Sequence, residues 1–157
     1  MDNPRAVLPL PYTRPPLHAN KTAASREAKL GEARIRRDIR AKVVAAATLA
    51  HLPRGVDHVV VELHWQPEFQ RARDTDNLMP TLKPIADALT PTKPGRKLRR
   101  GGRGPDILGY GMVRDDTPRW MTKPEAVIHD PVPGEPGRVW VELDWTSGAA
   151  AETGDPA

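Results

Sequence analysis

Proline does most to limit the folds open to this chain. It fills 18 of 157 positions, with glycine at a further 12, a high share for a compact domain. Proline has no backbone N–H and a fixed φ, so regular elements must fit between or around these residues. Long irregular connections are therefore expected, rather than a disordered chain. The length of 157 residues suits one domain with one core.

The spacing of apolar residues predicts the elements that do form. Residues 5–10 suit a short edge strand, where proline is tolerated, and residues 12–20 an ordered loop. Residues 25–50 form the clearest helix. Ser25 is its expected N-cap, and Ile35, Ile39, Val43 and Ala46 make one apolar stripe. Residues 58–65 alternate as a strand, with Val59, Val61, Leu63 and Trp65 on one face and Val60, Glu62 and His64 on the other. Helical character returns over 77–89. Pro80 and Pro84 fit there only if the regular turn starts late, with Thr81 as N-cap. Residues 125–129 and 138–145 read as two more strands, joined by a turn-rich segment that favours an antiparallel pair. The fold class expected is α/β (α+β), a small mixed β-sheet with two main helices on one face. A single domain should occupy residues 1–145. Residues 146–157, with little to bury, read as a disordered tail.

Charge narrows the partners. Lysine and arginine number 24 against 20 acids, a formal net charge of +4 and an isoelectric point near 9.7. The tail holds Glu152 and Asp155 and no basic residue, so the body is more basic than the whole. Such a body favours polyanions, nucleic acid first. The 91–105 loop carries Lys93, Arg96, Lys97, Arg99, Arg100 and Arg103 with no acid. It is expected either to grip a phosphate backbone or to be a solvated insertion. Arg36 and Arg40 on the long helix, with Arg34, Arg37 and Lys42, have the same two readings: a phosphate-facing surface or a plain solvated face.

Cysteine is absent, which excludes disulfides, cysteine-ligated zinc and a thiol nucleophile. No apolar run is long enough to span a bilayer, and the acidic, proline-broken N-terminus is unlike a secretory signal. A cytoplasmic location is expected, with no membrane partner and no organic cofactor. His18, His51, His58, His64 and His129 are scattered along the sequence and read as surface or strand residues rather than ligands. Trp120 and Trp140 suit packing better than base stacking.

The acids that could carry chemistry lie in Arg71-Ala72-Arg73-Asp74-Thr75-Asp76-Asn77-Leu78. Asp74 and Asp76 are two apart, just past a strand and just before a helix, so both carboxylates can reach one point. Two carboxylates held together call for a cation, and oxygen-only ligands suit Mg²⁺ or Mn²⁺. The alternative is that Asp76 or Asn77 simply caps the following helix, which explains one of these acids but not both. Asp115 and Asp116 form a second pair that either completes a metal site or shapes a turn. Lys83 could stabilise charge on a phosphate or simply pair with Asp87 one helical turn on.

Taken together, Asp74-Thr75-Asp76-Asn77-Leu78, then Lys83 with Asp87-Ala88-Leu89, then Asp115-Asp116 resembles the RusA family of Holliday junction resolvases, small metal-dependent endodeoxyribonucleases of phages and prophages. The likeness takes in Leu8-Pro9-Leu10-Pro11, the basic helix and the two final strands, and so most of residues 5–145. It implies that Asp74 and Asp76 are the two motif acids and Asp116 the third. It places the family's lysine at Lys83, with Asp115 as a further metal ligand or outer partner. It also implies a homodimer that nicks opposed strands of a four-way junction with Mg²⁺. A longer stretch than the family pattern separates Asp76 from the lysine, and Pro80 lies within it. The basic loop is also longer.

The leading expectation is thus a Mg²⁺-dependent structure-specific endonuclease, in a bacterial host cytoplasm if phage-encoded. Arg71, Arg73, the basic loop and the long helix would hold branched DNA. The rival expectation is a non-catalytic basic DNA-binding protein of a phage, whose acids are caps and turns. A structural phage protein would fit the fold but would leave the clustering of acids and bases unexplained.

Overall fold

The computed structural model describes residues 2–18 and 25–148. The expected loop end at residues 19–20 and residues 149–157 of the expected 146–157 tail lie outside the described residues, whereas Thr146 is ordered as the end of the last strand. Strand β1 (Arg5–Leu10) is followed by helix α1 (Arg26–Leu49) and strand β2 (His58–Gln66). A single 3-10 turn, Thr75–Leu78, leads straight into helix α2 (Met79–Leu89). Strands β3 (Pro91–Lys93), β4 (Ile107–Tyr110), β5 (Met121–Thr122), β6 (Val127–Ile128) and β7 (Arg138–Thr146) complete the chain. The result is the mixed α and β architecture expected, two helices with a mixed sheet.

The alternation of β2 decides the layering. β7 is antiparallel to both β1 and β2 and lies between them. The register sets Leu8, Val141 and Leu63 in one row and Leu10, Val139 and Trp65 in the next. These residues share a face with Val59, Val61 and Leu143, and all are buried. They form one core with Ile39, Val43 and Ala47 of α1 and Leu82, Ile85 and Leu89 of α2. Residues of the intervening positions cover the other face: Val7, Glu142 and Glu62 in one row, Pro9, Trp140 and His64 in the next.

α1 starts where its cap predicts. The Ser25 hydroxyl accepts a hydrogen bond from the Ala28 N–H at 3.1 Å, satisfying one of the free donors of the first turn. Its innermost residues are Ile39, Val43 and Ala47, while Ile35 and Ala46 are only partly buried. Tyr12 ties the segment after β1 to this helix. Its hydroxyl donates to Asp38 at 2.7 Å, and Lys42 lies 4.8 Å over its ring.

Three expectations need correction. Strand 125–129 shrinks to β6, which does not pair with β7; it runs parallel to β2, as does β5. β2 therefore separates the two final strands, and the proline-rich segment between them wraps around rather than turning tightly. Thr81 is not a cap. The 3-10 turn supplies the entry, so α2 opens at Met79 with Pro80 in its first turn and Pro84 inside it. The basic stretch also contains regular structure. β3 and β4 pair as an antiparallel hairpin, and Lys97 bridges Arg103 nearer its tip. Glycine makes this possible: a Cβ on Gly95 would lie 2.0 Å from the Gly104 carbonyl oxygen.

Thr81 instead fastens the irregular segment before α1. Its buried hydroxyl accepts from the Leu17 N–H at 3.1 Å and donates to the Leu17 carbonyl at 2.9 Å. Thr81→Val keeps the shape but leaves both backbone groups without partners. It is expected to cost about 1–3 kcal/mol, read as a shift of the urea midpoint at unchanged slope.

Candidate functional site

The corner after β2 carries the paired acids. Asp74 is extended, and its Oδ1 accepts from the Asp76 N–H at 3.1 Å, capping the 3-10 turn. One Asp74 oxygen therefore shapes the backbone, so the cap is Asp74 and not the Asp76 or Asn77 expected. Among the described residues the Asp76 carboxylate is exposed and has no side-chain or backbone partner. Nothing in the local structure requires an acid there.

Lys83 stands seven residues after Asp76, two helical turns further along the same run. Its ammonium donates to Asp116 at 2.6 Å and to Asp87 at 3.1 Å. The expected Lys83–Asp87 pair is thus present, but the shorter contact is with Asp116. That acid lies in the turn after Val113, where Asp115 Oδ1 accepts from the Asp116 N–H at 2.9 Å. Thr75 is also hydrogen-bonded to Glu125. Lys83 therefore joins α2 to the turn that carries Asp115 and Asp116, and Thr75 joins the acidic corner to Glu125 beyond β5.

Electrostatics around Asp116 follow from three lysines. The Lys83 hydrogen bond pulls its carboxyl below the usual aspartate range against the opposing effect of burial, and the charges of Lys83, Lys123 and Lys93 add to it. The Asp116 hydrogen bond in turn raises Lys83 despite burial, with Asp87 helping. Asp116 is therefore a carboxylate and Lys83 an ammonium near neutral pH. Lys93, from the basic hairpin, is close enough to contribute, so the hairpin borders this site.

The acids are not gathered into one ready-made cluster. Among the described residues no three of Asp74, Asp76, Asp115 and Asp116 bring ligand oxygens within 4.8 Å of one another. An open cleft of about 860 Å³ is lined by Asp74, Asn77, Arg71, Arg73, Arg14, Trp65 and Phe69, among others, but not by Asp76 or Asp116. The donor set is all carboxylate oxygen and fits Mg²⁺ or Mn²⁺ in kind. Both lysine contacts of Asp116 are to its Oδ2, so its Oδ1 is the oxygen it could offer an ion.

The remaining basic residues are distributed as follows. Arg73 lies 4.8 Å over the Trp65 ring and donates to the Arg71 carbonyl at 3.2 Å. Arg71 is exposed beside it. Arg96, Lys97, Arg99, Arg100 and Arg103 are exposed on the hairpin, and Arg103 also donates to the Gly95 carbonyl at 3.2 Å. On α1, Arg36 pairs with Glu32 at 3.3 Å, and Arg40 is half-buried.

One polar group escapes the sequence reading. His64 and His129, 65 positions apart, meet at 2.8 Å, and His64 Nε2 faces Glu62 at 2.6 Å and Glu142 at 2.8 Å. His64 is a strand residue of β2, as one of the two expected readings has it, and is only 5 % exposed; His129 is half-buried just after β6. Alternation on β2 was the available signal: it puts Glu62 and His64 on one sheet face, and the register with β7 brings Glu142 opposite Glu62. Trp120 packs against the core with Arg119 5.0 Å over its ring, and Trp140 stacks on both histidines.

No protein-family model matches this chain, and no curated protein sequence matches it. No helix among the described residues is long and apolar enough to cross a membrane.

Proposed function

We propose that this chain is a divalent-metal-dependent endonuclease for branched DNA, four-way junctions first. The observation that carries the reading is the 2.6 Å contact between Lys83 and Asp116. It joins the helix that follows the paired acids to the second acidic pair, beside a basic hairpin. Acids that suit a divalent cation thus lie next to basic groups that suit phosphate.

Asp74, Asp76 and Asp116 would hold Mg²⁺ or Mn²⁺, with Asp115 steadying the Asp116 backbone. A bound ion supplies an acidified water and neutralises the phosphate oxygens. Lys83, protonated and 62 % exposed at its side chain, is the group to balance charge building on the phosphate. The exposed arginines of the hairpin give affinity without reading sequence. A homodimer would present two such sites to the two-fold symmetric junction. The direct test is incubation with a synthetic four-way junction with and without Mg²⁺. Paired nicks that need the metal support the proposal; intact strands in both arms sink it.

A second reading, a DNA-binding protein without catalysis, draws on the caps. Asp74 and Asp115 already accept from backbone N–H groups, and the acids form no preassembled cluster. Binding without nicking in the same assay selects it.

Both readings make one prediction for the hairpin. Lys97, Arg99 and Arg100 replaced together by serine are expected to lower the slope of log affinity against log salt. Each lost phosphate contact removes about 0.9 from that slope, so a fall of roughly 2–3 is expected in anisotropy titrations. An unchanged slope would take the hairpin out of the interface.

A further inference from the structure

The helix-free face of the sheet carries a separate arrangement of ligand atoms. Glu62 and Glu142 are direct cross-strand partners of β2 and β7, a pairing of like charges that is unfavourable unless a cation intervenes. Among the described residues neither carboxylate is within 4 Å of a lysine or arginine. The single imidazole of His64 serves both, its Nε2 2.6 Å from one and 2.8 Å from the other. We propose that Glu62, His64 and Glu142 form a binding site for a transition-metal dication, Zn²⁺ first, independent of the aspartates at the α2 corner.

Three features support the assignment. The first is convergence: among the described residues this is the one group of histidine and carboxylate ligands whose atoms all lie within 4.8 Å of one another. The second is orientation. The His64 ring is held by His129 Nε2 at its Nδ1, 2.8 Å away, and stacks on Trp140 with centroids 5.3 Å apart. A partner at Nδ1 is what directs Nε2 of a metal-binding histidine toward the ion and fixes its tautomer. The third is room. A cleft of about 350 Å³ opens beside the carboxylates, bordered by Arg5, Val60 and Asp144.

The donor set selects the ion. One imidazole nitrogen with two carboxylates suits Zn²⁺, whereas Mg²⁺ favours oxygen alone. Metal–ligand bonds of about 2.1 Å set ligands roughly 3.4 Å apart around a tetrahedral ion. The glutamates must therefore draw back by roughly 0.6–0.8 Å from their 2.6 and 2.8 Å contacts. Both side chains are partly exposed, 32 % and 46 %, and can swing on their own torsions. The ion would replace the proton at His64 Nε2 and leave a fourth position open to the cleft. It would also pin β2 to β7 on the face that no helix covers.

The test loads the full-length chain with Zn²⁺, removes excess by gel filtration and measures retained metal, followed by competition with a chromophoric chelator. One retained equivalent is expected in the wild type and equally in Asp76→Asn. Affinity should fall at least 10-fold in Glu62→Gln and in Glu142→Gln, and by about 10–100-fold in His129→Phe, which removes only the outer partner. Circular dichroism of the glutamine variants, which alter partly exposed side chains, checks that the fold persists. Nitrogen chemical shifts of His64 should move at Nε2 on adding Zn²⁺. Failure to retain metal, or retention indifferent to Glu62→Gln and Glu142→Gln, overturns the proposal. Loss in Asp76→Asn alone would assign the metal to the other acids instead.

Discussion

Asp76→Asn is expected to abolish Mg²⁺-dependent nicking of a four-way junction while leaving junction binding intact. The loss should exceed the roughly 10–100-fold drop that follows removal of an outer-shell partner of a metal, because Asp76 would contact the ion itself. The variant is unusually clean. The carboxylate is exposed and unpartnered among the described residues, and surface changes away from special features usually stay within about 0.5 kcal/mol of the parent stability. Inactivity could not then be put down to unfolding. Binding should persist because the phosphate contacts proposed for the hairpin are elsewhere. Asp116→Asn is a weaker experiment, since it also removes the partner of Lys83. Nicking at the parent rate by Asp76→Asn would end the endonuclease reading.

Leu63→Ala is expected to give the largest loss of stability. Leu63 is fully buried in β2, the strand that β7 flanks on one side and β5 and β6 on the other. Removing a buried leucine to Cβ typically costs about 2–5 kcal/mol, partly as lost transfer energy and partly as cavity. Total stabilities are only about 5–15 kcal/mol, so the melting temperature should fall by roughly 4–20 °C for a chain of this size. The neighbouring Val60→Ala, on the helix-free face and only partly buried, should cost much less. Equal losses at the two positions would contradict the layering, which puts the core on one face alone.

Periodicity made the large elements legible. α1, β2 and β7 each repeat an apolar position at the spacing of their own geometry over many residues, and their structure follows that pattern. Short elements carried no such signal. β5 and β6 have two residues each, and their pairing with β2 depends on the path of the whole chain. The hairpin was hidden because glycine and backbone hydrogen bonds, not alternating side chains, hold it. α2 opened earlier than expected because a 3-10 turn could precede it, and spacing alone does not distinguish the two starts. At the acidic corner, the sequence offered cap and ligand as alternatives, and the structure shows Asp74 capping while Asp76 has no such duty. The contact between Lys83 and Asp116 spans 33 positions and could not be read from local pattern. The His64 group is only half legible: alternation puts Glu62 and His64 on one face of β2, but only the register with β7 brings Glu142 opposite Glu62.

The prolines of β1 restrict how copies of this chain can associate. Pro4 accepts from the Trp145 N–H at 3.1 Å. By the antiparallel alternation, Pro9 on the same strand turns its nitrogen outward, where it has nothing to donate. The outer rim of β1 thus lacks a rung near its end, and Pro11 lies just beyond the strand. A second molecule cannot continue the sheet there with a full ladder. A symmetric pair is therefore not expected to form by extending the sheet across β1, which keeps strand-to-strand stacking and the fibres it seeds off that border.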